Sequence, residues 1–334
     1  MRVLRLHAAR EVAVHEEPDP VPAPGEELVR VTAVGLCGSD LHWYEDAGIG
    51  DAKLVRPLVL GHEIGGVIAA GPRAGDRVAV DPSIPCERCE ACVTGHGNLC
   101  LDLRFSGHGA TDGALREFMT WPSRLLLGVP DVITDSEVPL LEPLGVAIHA
   151  IELSHFRPGM RAGVYGCGPI GLLTIAALGA MGASEIVATE PLPHRRAAAL
   201  AMGATEVWPT DDDGVSIEAL GHRVDVAFET AGDDGAVQTA VAAVRLGGRV
   251  VLAGIPPSDR TTFVASVARR KGLSLVLSRR MKAHHLARAM ALVNAGLVPL
   301  EKIISNRYAL HQGGQAFEEL SSREGLKVVV EPSR

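Results

Sequence analysis

Between Arg161 and Glu190 the chain reads RAGVYGCGPIGLLTIAALGAMGASEIVATE, and this stretch restricts the fold more than any other. Ala162 to Tyr165 is an apolar run suited to a buried parallel strand. Gly166, Cys167, Gly168, Pro169, Ile170 and Gly171 then form Gly-x-Gly-x-x-Gly at the start of an apolar helix. Gly166 lets the chain turn sharply, Gly168 leaves the backbone bare for a pyrophosphate, and Gly171 lets helix and strand pack closely while the helix N-terminus faces the phosphates. Glu185 to Thr189 reads as a second strand, and Glu190 stands 19 residues after Gly171, close to the spacing of about 20 expected of a ribose-binding carboxylate. Strand, glycine turn, helix and strand in that order is the arrangement a dinucleotide needs. The segment 162–184 carries no charge, but its glycines, its proline and the lack of basic flanking clusters argue against a membrane span.

Beyond Glu190 the pattern keeps alternating. A helix is expected near His194 to Met202, closed by Gly203, then a strand Val224 to Phe228, a helix near Asp234 to Arg245, and strands Arg249 to Ala253 and Leu273 to Leu277. That is a doubly wound parallel sheet, an α/β fold. Residues 1–35 read instead as short strands broken by proline- and glycine-rich turns (PDPVPAPGEE), the texture of a β-rich domain. At 334 residues and 47% hydrophobic content the chain can bury a large core in two domains. Asp211-Asp212-Asp213 reads as a solvated loop. A formal charge of −8 and a pI near 5.9 give no electrostatic footprint for nucleic acid or an anionic membrane. The first residues, MRVLRLHAAREVAVHEE, hold no apolar signal core and no small-residue cleavage site, so the expected compartment is the cytoplasm.

In a reducing compartment the six cysteines, at 37, 86, 89, 92, 100 and 167, are expected as metal ligands or buried thiols rather than disulfides. Cys86-x2-Cys89-x2-Cys92-x7-Cys100 places four thiols on one short loop, enough to close a tetrahedral zinc shell with no open position, which defines a structural site. Two smaller segments carry other ligand types. GLCGSDLH at 35–42 sets Cys37 among glycines with Ser39 and His42 following, and Gly61-His62-Glu63 adds an imidazole and a carboxylate. Together they suggest a second zinc site.

These residues carry a family resemblance. GLCGSDLHWY at 35–44, GHEIGGVI at 61–68, the four-cysteine loop, LEPLGVAIHA at 141–150, YGCGPIGLL at 165–173 and FETAG at 228–232 resemble the zinc-dependent medium-chain dehydrogenase/reductases, nearest their sorbitol (L-iditol 2-) dehydrogenase branch. The likeness runs nearly end to end. It implies a GroES-like catalytic domain made of residues 1–144 and 279–334 and a Rossmann NAD-binding domain at 145–278.

The resemblance also implies chemistry. Its catalytic zinc would be held by Cys37, His62 and Glu63, with Glu142 bound directly or through water; simple alcohol dehydrogenases of this superfamily usually offer a second cysteine near that position. One thiolate, one neutral imidazole and one carboxylate leave the metal group formally neutral, with an open position for a substrate oxygen and a Lewis-acid role. Ser39 and His42 match a proton relay, Phe105 and Arg279 match polyol-pocket positions, and Arg195 and Thr230 match cofactor contacts. Gly145, and Arg280-Met281 after Arg279, depart from the branch's usual residues. The implied reaction is hydride transfer between a polyol or similar polar secondary alcohol and NAD, with two zinc ions per chain and a homo-oligomeric enzyme. Threonine, an aldonate or an aminocyclitol are the alternative substrates. A dinucleotide-binding protein without activity is the remote alternative, against which the intact Cys37, Ser39, His42, His62 and Glu63 speak.

Overall fold

The computed structural model describes residues 1–210, 223–257 and 260–334, so the Asp211–Asp213 run lies outside the described residues. The chain divides into two compact units: Met1–Glu142 with Lys282–Met290 and Ile304–Arg334, and Pro143–Met281 with Ala291–Ile303.

The first unit is built on a mixed sheet whose central strand is Glu26–Gly35. Apolar residues alternate along it, so Val29, Val31 and Ala33 are buried while Arg30 is exposed. The strand order, among the described residues, is Leu126–Gly128, Arg77–Val80, Glu63–Ile68, Glu26–Gly35, Lys327–Glu331 and Ile304–Ala309, with Phe118–Pro122 also paired to Glu26–Gly35. Lys327–Glu331, almost the last residues of the chain, therefore lies beside a strand from its start, with Val329 opposite Gly35 and Val330 opposite Val34. Leu36, Ile64, Val80, Trp121, Phe317 and Val330 belong to the core that fixes this register.

The second unit is a parallel sheet in the order Glu206–Trp208, Glu185–Thr189, Arg161–Tyr165, Val224–Glu229, Val244–Leu252 and Ser274–Leu277. Its central strands are apolar throughout because helices cover both faces of such sheets. Chain order reverses between Arg161–Tyr165 and Val224–Glu229, and a crevice at such a switch point, outside the carboxyl ends of the strands, is where open α/β sheets take ligands. One boundary differs from the sequence pattern. The helix Asp234–Ala243 stops two residues before Arg245, because Val244 is already extended and opens the next strand opposite Val224. Among the described residues no helix is long and apolar enough to cross a membrane.

That helix ends on a lysine. Lys271, 9% exposed, donates from Nζ to the carbonyls of Val241, Ala242 and Val244 at 3.0, 2.6 and 2.6 Å. These are carbonyls that a helix C-terminus leaves without partners, and a cation there also meets the negative end of the macrodipole. Burial holds the Lys271 ammonium below its ordinary pKa, so the three acceptors are what keep it inside. Lys271→Met keeps the stem and removes the donors, which should cost about 1–3 kcal/mol. At about 2–4 °C per kcal/mol for a unit of this size, calorimetry should show melting lowered by about 2–12 °C. An unchanged melting temperature would refute the capping role.

Candidate functional site

The four cysteines of the 86–100 loop converge. Cys89 Sγ lies 3.5 Å from Cys92 Sγ and 3.9 Å from Cys100 Sγ, and Cys86 Sγ lies 4.0 Å from Cys92 Sγ. All are free thiols. A tetrahedron with Zn–S near 2.3 Å has sulfur–sulfur edges of roughly 3.8 Å, so the spacing fits a zinc ion and is far too long for disulfides. The loop is shaped for this by a short helix, Glu90–Val93, that starts directly after Cys89, and by Gly95 at φ +81°. The backbone N–H groups of Leu101 and Cys92 pull the Cys89 thiol down to about 6, whereas desolvation and its bond to Cys89 push Cys92 up to about 12. Four thiolates cannot gather without a cation to balance them.

The second group consists of Cys37, His62 and Glu63, whose ligand atoms lie within 4.8 Å of one another. Cys37 sits at the N-cap of the helix Gly38–Asp46, and His62 and Glu63 lie at the start of the strand Glu63–Ile68, 6% and 0% exposed. Asp40 joins the two elements. Its Oδ2 accepts from Cys37 N at 3.0 Å, its Oδ1 accepts from Gly61 N at 3.2 Å, and Oδ1 is 3.4 Å from His62 Nδ1. Burial alone would raise the Asp40 carboxyl, but His62 and the two N–H donors win and hold it below the ordinary carboxylate range. With Nδ1 turned to Asp40, the imidazole presents Nε2 as the free nitrogen, the arrangement in which a carboxylate orients a metal-ligating histidine. Ser39 Oγ is 3.5 Å from that Nε2.

Glu63 has a buried partner of its own. Lys327 Nζ donates to Glu63 Oε1 at 2.6 Å and to the Leu36 carbonyl at 2.8 Å, with both side chains 1% exposed. Nζ is also 2.6 Å from Oε2, yet Oε2 completes no hydrogen bond. The ammonium meets the charge of that oxygen but leaves its lone pairs without a hydrogen bond, and a metal ion would use one of them.

The remaining sequence-derived positions fall out as follows. Glu142 is 5% exposed and lies outside the 4.8 Å group, but burial lifts its carboxyl to about 7 while the charges of His62, Glu63 and Lys327 act on it. Phe105 is buried with its ring centre 5.2 Å from that of His62. His42 faces Asp46 one helical turn on, Nδ1 to Oδ2 3.6 Å. Arg279 belongs to the second unit, two residues past the strand Ser274–Leu277. Two contributors escaped the sequence reading. Asp40 carries a local signal, since Cys-x-x-Asp before a helix is the spacing of a capping box. Lys327 has none, being 264 residues from Glu63.

In the second unit Gly166, at φ +104°, turns the chain from Arg161–Tyr165 into the helix Pro169–Ala180, with Gly168 as N-cap and Pro169 and Ile170 in the first turn. A side chain at Gly171 would collide with the Gly166 carbonyl. At Gly168 a Cβ would meet only Arg195 Nη1, 3.9 Å away, so the first turn is an open cradle of N–H groups. Glu190, 4% exposed, accepts from Cys167 N on Oε2 at 2.7 Å and from Leu192 N on Oε1 at 3.1 Å. Thr230 Oγ1 donates to the Gly166 carbonyl at 2.7 Å. Arg196 is engaged with the carbonyls of Glu190 and Pro191 at 3.0 and 2.5 Å. Cys167 is fully buried, and burial followed by the Glu190 charge pushes its thiol up to about 12.

Comparison with known proteins bears on both units. Residues 23–131 match the family model of the alcohol dehydrogenase GroES-like domain, and residues 169–295 match that of the zinc-binding dehydrogenases. The chain is 34% identical to a sorbitol dehydrogenase of Bacillus subtilis, over 100% of this chain and 98% of that one. It is 33% identical to a probable D-xylulose reductase of Arthroderma otae, over 97% and 95%. Among solved structures it resembles an L-idonate 5-dehydrogenase of Escherichia coli, with TM-score 0.92 and 27% identity over 99% of this chain and 97% of that one.

The two ligand groups should behave differently. Metal analysis should return two zinc ions per chain, and either substitution should lower that to one. Cys37→Ser should lose turnover with the melting temperature nearly kept, whereas Cys89→Ser should chiefly lower the melting temperature, because only the closed site contributes directly to local folding. Fully active protein holding one zinc, or none, would overturn this assignment.

Proposed function

We propose, from the premise that this chain belongs to the zinc-dependent medium-chain dehydrogenases and is a polyol dehydrogenase among them, that it oxidises a polar secondary alcohol at a hydroxyl next to another, with NAD as hydride acceptor. The observation that carries this reading is the meeting of Cys37, His62 and Glu63 with no second thiol in the group. When bound there, zinc supplies Lewis acidity to the substrate hydroxyl, and the nicotinamide takes up the hydride.

The chain's own side chains have separate duties in this reading. Cys37, His62 and Glu63 hold the metal, and Asp40 keeps the imidazole turned the right way. Ser39, beside His62 Nε2, takes the hydroxyl proton, and His42, about a quarter exposed, is the outlet to solvent. Glu142 accepts a hydrogen bond from a neighbouring hydroxyl, which ethanol lacks. Phe105, its ring beside that of His62, packs against the substrate, and Arg279 is the family-matched candidate for binding a further hydroxyl. Glu190 bonds the adenosine ribose with its remaining lone pairs, and its charge repels a 2′-phosphate; Arg195 lies against the cradle, while Arg196 is committed to backbone carbonyls.

A pocket that pairs several hydroxyls rejects analogues lacking them, at about 1–3 kcal/mol for each polar group left unsatisfied. Catalytic efficiency on sorbitol, xylitol or ribitol should therefore exceed that on ethanol or butanol by about 10-fold or more, and should be higher with NAD than with NADP. Parity between butanol and the polyols would sink the substrate assignment. Selective loss of activity on acids in Arg279→Ala would shift it to aldonates or threonine.

The strand Ser274–Leu277 ends the parallel sheet and leaves Leu277 76% exposed. An uncovered apolar edge invites pairing with a second copy, so the enzyme is read as a homo-oligomer, working in the cytoplasm. Light scattering at micromolar concentration should return a multiple of the 35.1 kDa chain mass; a monomer mass would refute it.

A further inference from the structure

Glu229 ends the strand Val224–Glu229, one of the two strands that flank the topological switch inside the second unit, and is 2% exposed. No step above uses it. A buried carboxylate needs a reason, because an unpaired one would cost several kcal/mol. Among the described residues no cation is hydrogen-bonded to the Glu229 carboxylate. Its Oε1 instead accepts two backbone N–H groups, from Ala231 at 2.7 Å and Gly232 at 2.5 Å. Its main-chain carbonyl accepts from Ala253 N at 2.8 Å and Gly254 N at 3.1 Å, in the loop that leaves the neighbouring strand Val244–Leu252. One residue thus fastens two adjacent loops at the carboxyl ends of the sheet.

The loops are also packed backbone to backbone. A Cβ on Gly232 would run into the carbonyl of Ile255, and one on Gly254 would run into Gly232 N. On the other side, a Cβ on Gly166 would meet Ala231 N at 2.7 Å, and the Thr230 hydroxyl donates to the Gly166 carbonyl at 2.7 Å. The segment Thr230–Gly232 is therefore clamped between the glycine turn and the 253–255 loop, and it lies where the switch point places a dinucleotide.

We propose that Glu229 is a positioning residue for the dinucleotide: through its carboxylate it fixes Thr230–Gly232 between the glycine turn and the 253–255 loop, so that the cofactor meets a surface already formed. The inference rests on the NAD reading above. A preformed loop spares the cofactor the entropy of ordering it, so losing the clamp weakens cofactor binding and leaves the zinc groups, in the other unit, untouched.

The test uses the zinc-loaded enzyme and NADH fluorescence titration, with steady-state kinetics alongside. Glu229→Ala should raise the NADH Kd and the KM for NAD by about 10-fold or more. It should leave kcat at saturating NAD within about 3-fold and the zinc content at two per chain, and speed amide hydrogen exchange at Ala231 and Gly232, whose N–H groups lose their acceptor. Glu229→Gln keeps an oxygen that accepts the same two N–H groups and should restore most of the affinity. If Glu229→Ala does not fold, Glu229→Asp, one methylene too short to reach both donors, gives the same comparison against Gln. Equal NADH affinity in the wild type and in Glu229→Ala or Asp overturns the proposal, as does a Gln variant as impaired as the other. If the wild type itself binds no NADH, it is the cofactor reading that fails.

Discussion

The first unit's site depends on one buried ion pair, Lys327 with Glu63, and on the glycine that makes room for it. Gly35 lies opposite Glu63 on one side and Val329 on the other, in the strand that separates Glu63 from Lys327. A Cβ at Gly35 would collide with Glu63 Oε2 and stand 3.1 Å from Lys327 Cε. Its φ lies outside the left-handed region, so the demand for glycine here is steric and electrostatic, a gap through which two charges reach each other across a strand. Buried pairs of this kind are weak sources of stability, since desolvation offsets the Coulomb attraction, but removing one partner strands a charge at a cost of about 3–5 kcal/mol. The pair holds its geometry because the ammonium is further satisfied by the Leu36 carbonyl. It also ties the strand Lys327–Glu331 to the metal group, across 264 residues of sequence.

The second unit solves its problem with backbone instead of charge. Gly166, Gly232 and Gly254 let three strand-end loops touch without side chains between them, and the acceptors that hold them, Glu229 and the carbonyls it sits among, are buried. The N–H groups of Ala231, Gly232, Ala253 and Gly254 are spent on Glu229, so those left for an anion are in the first turn after Gly168, which the fixed loops flank.

This contrast explains what the sequence made legible. The glycine turn and the thiol loop are local devices whose spacing is their mechanism, so Gly166 to Gly171 and Cys86 to Cys100 could be read directly. The parallel strands were equally plain, because burial on both faces leaves apolar runs. The end of the helix at Ala243 was not, since the apolar period continues through Val244 and only pairing with Val224 turns that residue into strand. Lys327 was illegible for a different reason: nothing near it in sequence is polar in a patterned way, and its partner is reached only once three strands are in register. Asp40 stood in view inside GLCGSDLH but reads as a helix cap until His62 is placed beside it.

The two thiol-bearing groups also differ in charge, and that difference separates their uses. The closed loop gathers four cysteines, whose thiolates would leave a divalent ion over-neutralised and, with every position filled, unable to take a further ligand. The open group offers one thiolate and one carboxylate, and Lys327 has already neutralised much of that carboxylate's charge. A divalent ion held there keeps more of its positive field, which is what polarising a hydroxyl needs. A second thiolate in place of Glu142 would reduce that field permanently. Glu142, whose carboxyl burial lifts to about 7, brings less fixed negative charge than a thiolate would. On the proposed zinc reading the Lys327–Glu63 pair therefore does more than hold a strand: it sets how electrophilic a metal held by Cys37, His62 and Glu63 can be.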